Sequence, residues 1–507
     1  MIARKSALII ATNILNGILG FVMLFFITRF IGPSDYGIVT FALSFVTLFT
    51  IFGNFGYDSA HIKRVSEGKN LGKCIGTYFT IRFFLMCLMT FVVIIAIFLW
   101  KNFIGFESSI QETVLYILLG YCVLSIISNS MISTFKARKE IAKAEIPLFL
   151  EVFGRAIATL YVVYMGYGAI PLAFTYIVGW GTCLIFTIFL FYKYPIKKPD
   201  KSYFRDYTKF AFPLTFMLIC SIIINNIDRI FIYIFCNEET VGYYSGSYRL
   251  SAFINMFSIS IGILLFPTFS NLHSNNNISG IRKLIYRSER YISMVVFPMV
   301  FIIVLLSESV VFILLAGWDP AIPIMQILPF FVLFAALERP YQSQFLGMDK
   351  PKIARNRLII MVLLDVVLNF ILIPDMKIFN VKLPGLGATG AAIALVISYA
   401  VGLIYSRIMA WKLTEIKVNP RIFIHAFAAT IMGVILYILL YEFKLSELIL
   451  RWYHLLFFSL LGLAIYLIIL IIFREFTKED FHLFLDTINI KKMYKYIHKE
   501  VRNKEEK

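Results

Sequence analysis

Residues 8–37 read LIIATNILNGILGFVMLFFITRFIGPSDYG, an apolar run that ends in a short turn with charged, proline and glycine residues. About 20 mostly apolar residues suffice for a helix to cross the hydrocarbon core of a bilayer. The run is too long for the core of a signal peptide and lacks a convincing small-residue cleavage site. Since a second apolar run follows the turn, the stretch predicts two retained membrane helices that cross in opposite directions.

The rest of the chain repeats this pattern. Hydrophobic residues make up 60% of the sequence and charged residues 15%, with a mean hydropathy of +0.81. This is more apolar surface than a single soluble core could bury. The sequence therefore predicts an all-α integral membrane protein with about fourteen transmembrane helices. The predicted spans are 8–30, 37–57, 75–99, 111–135, 146–165, 168–192, 209–236, 239–267, 288–315, 321–346, 353–375, 385–411, 421–441 and 450–473.

The net charge of +18 is concentrated in alternate loops. Basic residues cluster near 63–73, 136–143 and 193–205, whereas the intervening loop at 237–240 carries none. The positive-inside rule then predicts a multi-pass protein of the cell membrane with both termini cytoplasmic, and this distribution argues against nucleic acid as a partner. The basic tail at 474–507 has apolar residues at helical spacing, which predicts an amphipathic helix on the cytoplasmic leaflet and contact with membrane lipids.

The first six spans recur in order in the second half. Because six is even, both copies enter the membrane from the same side, so the pseudo-twofold axis is expected along the membrane normal. Gly37 and Gly242, in matching turns, are candidates for a positive φ angle. The matching segments are 35–37 with 240–242, 133–137 with 343–347, and 166–169 with 385–388. The predicted units are a six-helix lobe at 1–200, a second at 201–412, two additional helices at 413–473, and the tail at 474–507.

Polar side chains recur on one face of the first two helices in each half. Because such groups are costly in hydrocarbon, they are expected to face a hydrated cleft between the halves, although interhelical hydrogen bonding is an alternative for each. The candidate cleft residues are Asn13 and Asn16 in the first span, Asn54 in the second, Asn225 in the seventh and Asn255 in the eighth.

Charged residues divide into two sets. Arg29, Arg229 and Arg249 fall toward the outer side, where guanidinium groups suit an anionic cargo because they bind phosphate oxygens bidentately. Glu151 and Arg155 lie one turn apart and are expected to pair. The candidates for binding a coupling H⁺ or Na⁺ are Asp58, Asp228 and Asp365.

Several segments resemble one known family. The turn at 29–37, Arg-Phe-Ile-Gly-Pro-Ser-Asp-Tyr-Gly, is similar to the turn that follows the first helix in polysaccharide flippases of the multidrug/oligosaccharidyl-lipid/polysaccharide exporter superfamily. Residues 226–229 (Asn-Ile-Asp-Arg), 241–244 (Val-Gly-Tyr-Tyr) and 135–137 (Phe-Lys-Ala) fit the same family, and the resemblance covers essentially the whole chain. Arg29 and Arg229 fall within matching motifs, whereas Arg249 is proposed from its position alone.

The resemblance implies a V-shaped bundle of two lobes that alternates between inward-open and outward-open states. Its cargo would be a polyprenyl-diphosphate-linked oligosaccharide, moved to the outer leaflet. A cation-coupled drug or metabolite exporter and a lipid-linked peptidoglycan precursor flippase are the alternatives. A membrane-embedded glycan polymerase or ligase is disfavoured by short outward loops and by the lack of a nucleophile–base pair or metal-ligand spacing among the six cysteines and six histidines. No catalytic residue, cofactor or metal is expected.

Overall fold

The computed structural model describes most of the chain up to residue 477. The predicted amphipathic helix over 474–507 therefore lies almost wholly outside the described residues. The described residues are 2–106, 108–315, 317–378, 381–445, 449 and 451–477.

The first half of the chain is a bundle of seven helices. Helix α2 continues as a 3₁₀ turn over Phe49–Gly53 and is followed by the short helix α3. The helices are α1 (Ile2–Phe30), α2 (Pro33–Leu48), α3 (Tyr57–Ser66), α4 (Leu71–Phe103), α5 (Ser109–Ala137), α6 (Ile141–Tyr164) and α7 (Ala169–Phe191).

The second half follows the same course with three local differences. The tenth predicted span is broken between α12 and α13 at Pro329, which cannot donate a backbone hydrogen bond to the preceding turn. A small antiparallel hairpin of β1 (Lys377–Ile378) and β2 (Val381–Lys382) pairs Lys377 with Lys382, and the α16 helix ends in a π turn over Ile438–Glu442. The helices are α8 (Lys201–Phe235), α9 (Glu238–Ser274), α10 (Ile278–Leu305), α11 (Ser307–Leu314), α12 (Ala321–Ile327), α13 (Pro329–Gly347), α14 (Pro351–Leu372), α15 (Gly387–Thr414), α16 (Arg421–Tyr437) and α17 (Trp452–Ile472).

Each predicted span coincides with a helix or a pair of consecutive helices, which confirms the all-helical membrane fold. Within the described residues, twelve helical segments are long and apolar enough to cross a membrane. Helices α9 and α14 occupy the eighth and eleventh predicted spans but are not among those twelve. Both carry charged residues in their middle parts, Arg249 in α9 and Asp365 in α14. The count of about fourteen is thus approximate.

The helices run between two ends of the bundle. The end that holds the connections near residues 66–70, 138–140 and 192–200 carries the basic clusters and is called the basic end. The other end holds the α1–α2 and α8–α9 turns and is called the opposite end. Helix α2 packs on α5, α8 and α9, and α9 packs on α13, so the two lobes meet along α2 and α9.

Two glycines allow α2 and α9 to cross closely near the opposite end. A Cβ atom on Gly37 would lie 1.7 Å from the carbonyl oxygen of Glu238, and one on Gly242 would lie 2.0 Å from that of Pro33. We call these four residues the α2–α9 seam. The prediction of a positive φ at Gly37 or Gly242 is wrong, because both lie inside helices; Gly32 supplies the positive φ of 89° at the first turn.

Further contacts join the lobes near the seam. The rings of Phe41 and Tyr233 stack with their centroids 3.7 Å apart, and the Tyr233 hydroxyl donates to Oε1 of Gln111 at 2.6 Å. The Thr28 hydroxyl donates to the carbonyl oxygen of Leu314 at 2.7 Å. In this conformation the opposite ends of the two lobes are therefore closed against each other.

Candidate functional site

A cavity of about 200 Å³ lies between α1 and α9, one helix from each lobe. Gly20 packs against Arg249, since a Cβ atom at residue 20 would lie in ordinary van der Waals contact with its Nη2 atom, at 3.5 Å. The Asn16 amide oxygen is buried in the same region without a hydrogen-bond partner. The sequence therefore brings a guanidinium and an unsatisfied amide together in one small space. The cavity is lined by Asn16, Gly17, Gly20, Phe21, Leu24, Arg249, Ala252 and Phe253.

Arg249 lies beside two tyrosines of the first lobe. The side chains of Tyr36 in α2 and Tyr176 in α7 are next to its guanidinium. These neighbours are neutral, so they do not cancel its charge. Arg249 thus spans the interface between lobes.

Arg229 is the second arginine of this region and projects from α8. Its Nε atom donates to the Ser245 hydroxyl at 3.1 Å, and its guanidinium lies over the Tyr248 ring at 4.7 Å from the centroid. A cation stacked on an aromatic ring keeps its charge and most of its donors. Among the described residues, neither Arg229 nor Arg249 has a carboxylate within 4.0 Å, whereas Arg155 pairs with Glu151 at 3.1 Å. That last contact confirms the predicted pair.

The other predicted cleft asparagines form local contacts. The Asn225 amide donates to the carbonyl oxygen of Ser221 at 2.6 Å, and Asn255 accepts from the Ser258 hydroxyl at 2.5 Å. Asn225 is exposed, and Asn13 in α1 is half-buried. The Asn225 amide therefore keeps hydrogen-bonding capacity, but the predicted cleft asparagines do not converge on a single site.

Asn54 and Asp58 belong to a separate network at the start of α3. The Asn54 amide donates to Asp58 at 3.0 Å, and the Tyr78 hydroxyl donates to the other carboxylate oxygen at 2.5 Å. Arg82 lies 3.6 Å from the same carboxylate. The Asp58 charge is therefore balanced by a buried guanidinium, which suits a structural contact between α3 and α4.

The structure places Arg29 away from Arg229 and Arg249. Arg29 ends α1 at the opposite end of the bundle, where it lines a lateral groove with Arg451 and Trp452 at the start of α17. Its guanidinium lies over the Phe25 ring, 5.8 Å from the centroid. Arg29 is distant from the cavity because it lies in the last turn of α1, whereas the cavity is lined by an earlier part of α1 that begins at Asn16.

The second lobe holds a pair of buried carboxylates. Asp228 in α8 and Asp365 in α14 are 2% and 0% exposed, and their carboxyl groups lie side by side around one amide group. Asn369 donates to both, at 2.8 Å to Asp228 and 3.3 Å to Asp365. Two ionised carboxylates placed this close together in a low-dielectric site repel each other, so a proton or a cation between them would be stabilising.

Neutral hydroxyls complete this acidic site. Tyr244 donates to Asp228, and Ser398 in α15 donates to Asp365 at 3.4 Å. The Asn369 amide oxygen is buried and has no hydrogen-bond partner. An oxygen-rich group of this composition suits a hard cation or a proton.

Sequence reasoning did not identify several of these residues. Tyr36, Tyr176, Tyr244 and Ser398 carry no charge, and tyrosines and serines are common in apolar helices. For Tyr36 a signal existed, since it lies in the turn motif at 29–37. Within the described residues, no group of three or more His, Cys, Asp or Glu side chains could hold a metal ion.

Two six-helix lobes that meet around polar groups, with a buried acidic pair in one lobe, define a multi-pass membrane carrier. The comparison with known proteins identifies its family. The chain belongs to the family described as polysaccharide biosynthesis protein, whose model matches residues 2–273.

One curated relative is the probable low-salt glycan biosynthesis flippase Agl15 of Haloferax volcanii. It is 23% identical over 417 residues, which cover 80% of this chain and 82% of the relative. Solved structures share the fold at low identity. A lipid II flippase, MurJ, in an inward closed conformation has a TM-score of 0.72 at 16% identity and covers 92% of this chain and 98% of its own. An inward-facing multidrug resistance MATE family transporter of the MOP superfamily has a TM-score of 0.66 at 14% identity, covering 80% of this chain and 96% of its own.

Proposed function

We propose that the protein is a flippase that moves a polyprenyl-diphosphate-linked oligosaccharide from the cytoplasmic to the outer leaflet by alternating access. The observation that carries the proposal is that Arg249, between the lobes, and Arg229, on the adjacent face of α8 and α9, have no carboxylate within 4.0 Å among the described residues. Family membership and the relative named as a glycan biosynthesis flippase support it. Under this proposal the protein is a non-catalytic carrier of the cell membrane.

The proposed orientation follows from charge. We place the basic end in the cytoplasm, with both termini there, because positively charged loops are retained on that side. The proposed units are the lobes at 1–200 and 201–412, the two additional helices at 413–473, and the tail at 474–507. The closed end of the bundle then faces outward.

The physical task is to move a diphosphate and sugars across hydrocarbon. Their transfer without compensating charge or hydrogen bonds is prohibitive, whereas the polyprenyl chain can stay in the bilayer. Arg229 and Arg249 offer planar donor groups that match phosphate oxygens. Asn16 and Asn225 offer amide groups suited to sugar hydroxyls.

The Asp228–Asp365 pair is our proposed site for a coupling cation, H⁺ or Na⁺. Asn369 contacts both carboxylates and has a free amide oxygen, and the Tyr244 hydroxyl links the pair to α9. Occupation of the site can therefore change the packing of α8, α9 and α14. Asp58 is a weaker candidate because Arg82 already balances its charge.

The same acidic pair favours a second candidate, a cation-coupled drug or metabolite exporter of the superfamily. That function calls for acidic groups that meet a cationic cargo. Here Tyr244 and Asn369 cover the carboxylates, while the arginines lie nearer the lobe interface. A lipid-linked peptidoglycan precursor flippase differs from the first proposal only in its cargo.

The test uses the full-length protein in proteoliposomes with a fluorescent polyprenyl-diphosphate oligosaccharide. Arg229→Gln and Arg249→Gln should each lower the transfer rate by about tenfold or more, since a charge-assisted hydrogen bond to phosphate is lost. Arg287→Gln, at an exposed site on the basic end, is the matched control and should retain wild-type transfer. Wild-type transfer in both cleft variants would refute the assignment, and selective efflux of a cationic dye would favour the exporter.

The coupling site is tested separately. Asp365→Asn should remove the dependence of transfer on an imposed proton or sodium gradient, while Asp375→Asn, an exposed aspartate at the opposite end, should retain it. If the gradient dependence persists in Asp365→Asn, the pair is structural.

A further inference from the structure

A large groove opens on the side of the bundle at the opposite end. Its volume is about 860 Å³, and we call it the lateral groove. Helix α1 forms one wall, α11 the back and the start of α17 the other wall. Most of the lining is apolar, with Phe312 and Trp452 57% and 66% exposed. The lining residues are Phe21, Val22, Phe25, Phe26, Arg29, Phe312, Ile313, Leu314, Gly317, Asp319, Arg451 and Trp452.

Two arginines on different helices face this groove. Arg29 ends α1 and Arg451 precedes α17, and both are exposed. In the described part of the chain their other contacts are aromatic or phenolic: Arg29 lies over Phe25, and Arg451 donates to the Tyr453 hydroxyl at 3.2 Å. Asp319 lines the same groove and offsets one of the two charges. The groove therefore combines a net positive end with an apolar floor, which matches a lipid with an anionic headgroup.

The groove is adjacent to the candidate substrate cavity. Phe21 lines both the α1–α9 cavity and the lateral groove, so the two spaces meet at this side chain. Along α1, four groove-lining apolar residues lead from Phe21 to Arg29 over roughly 12 Å, at 1.5 Å per residue: Phe21, Val22, Phe25 and Phe26. A lipid that leaves the cavity past Phe21 would meet this wall first.

We propose that the lateral groove is a release site for the lipid-linked cargo, with its diphosphate between Arg29 and Arg451 and its isoprenoid chain against the phenylalanines of α1 and α11. This inference rests on the proposed function. Two arginines on separate helices suit the two phosphate groups of a diphosphate better than the single phosphate of an ordinary phospholipid. The role of Arg29 is then to receive cargo outside the cleft, after Arg229 and Arg249 have carried it.

The experiment places a photo-crosslinking residue, p-benzoylphenylalanine, at Phe312 of the full-length protein in nanodiscs. The probes are undecaprenyl diphosphate, undecaprenyl phosphate and phosphatidylglycerol, each at the same mole fraction. We expect preferential capture of the diphosphate lipid, reduced about tenfold in the Arg29→Gln/Arg451→Gln double variant. Lys101→Gln removes an exposed positive charge at the same end of the bundle, where Lys101 pairs with Glu112, and should leave capture unchanged.

The outcomes separate this proposal from the proposed function. Equal capture of phosphatidylglycerol would identify an ordinary phospholipid site and overturn the proposal, as would full capture in the double variant. Arg229→Gln should lose transport but keep capture at position 312, which supports the groove. If the wild-type protein captures the diphosphate lipid selectively yet does not transfer it, the flippase assignment is wrong while the groove assignment stands.

Discussion

Closure of the bundle at its opposite end depends on the missing side chains of Gly37 and Gly242. A methyl group on Gly37 would lie 1.7 Å from the carbonyl oxygen of Glu238, whereas ordinary van der Waals contact begins at 3.4 Å. The Gly37→Ala variant must therefore hold α2 and α9 about 1.7 Å further apart at this crossing. Backbone atoms cannot swing aside as a flexible side chain does, so the clash opposes closure itself.

The size of the effect follows from the cost of overpacking. Extra methyl groups in well-packed interiors cost about 1 to 3 kcal/mol. If the clash is relieved when the opposite end opens, the ratio of open to closed molecules should rise by about 5- to 150-fold, at 1.4 kcal/mol per factor of ten. Because Gly242 faces Pro33 in the equivalent way, Gly242→Ala should shift the ratio in the same direction.

Electron–electron distance measurements can detect this shift. Spin labels at Ser34 and Glu239, both exposed near the seam, should report a longer mean distance in Gly37→Ala than in the otherwise wild-type protein. Gly181→Ala is the matched control, because a Cβ atom there meets nothing within 4 Å. An unchanged distance distribution together with wild-type transfer in both seam variants would refute the reasoning.

Three other predictions follow. Replacing the buried Arg357 in Arg357→Met should lower the free energy of unfolding by about 3 to 5 kcal/mol, because Glu338 loses its cationic partner. Adding Glu338→Gln to this variant should restore part of the lost stability, and denaturant titrations measure both changes. If the Asp228–Asp365 pair binds the proposed cation, the thermal midpoint of the wild-type protein in detergent should rise with sodium concentration or with acidification, and this rise should be smaller in Asp365→Asn; an equal rise in both would contradict the proposed site. The hydrogen bond from Lys73 lowers the pKa of Asp200 to about 2. The attachment of the 192–200 linker should therefore persist above pH 4 and weaken as the pH falls through 2. Hydrogen exchange of the linker measures this attachment, and the Asp200→Asn variant should show no such acid-dependent step.

The lengths of the apolar runs were sufficient to predict the helices. A membrane helix satisfies its own backbone, so composition over about 20 residues fixes both its existence and its approximate ends. Local breaks were harder, as at 49–53, where an apolar stretch forms a 3₁₀ turn. The Glu151–Arg155 pair was predictable because both residues lie on one helix, where the spacing decides contact.

Contacts between helices were not predictable in this way. Asp228 and Asp365 were each identified as candidates, but periodicity along a helix cannot show that the two carboxyl groups meet across α8 and α14. The neighbours of Arg29 were not predictable for the same reason: its place at the end of α1 followed from the sequence, but its proximity to α11 and α17 did not. The tight packing at Gly37 depends on the path of another helix, so a turn motif suggested the wrong role for this glycine.

The two lobes have equivalent positions at the seam, but the charged residues of the candidate site are not repeated in both. The same offset in sequence relates Pro33 to Glu238 and Gly37 to Gly242, so the seam is built from equivalent positions and can open or close symmetrically. With that offset, the counterparts of Asp228 and Arg229 in α1 are Met23 and Leu24, which are buried in the hydrophobic core.

This asymmetry bears on how a cation could drive the proposed transport. A ligand shifts a conformational equilibrium only by its differential affinity for the two states. Because the acidic pair lies in the second lobe alone, binding there can rearrange α8 and α14 without an equivalent change in the first lobe. Tyr244 donates to Asp228 and lies two residues after Gly242, so the same segment of α9 touches both the acidic site and the seam. One helix thus provides a physical connection between the proposed cation site and the closed opposite end.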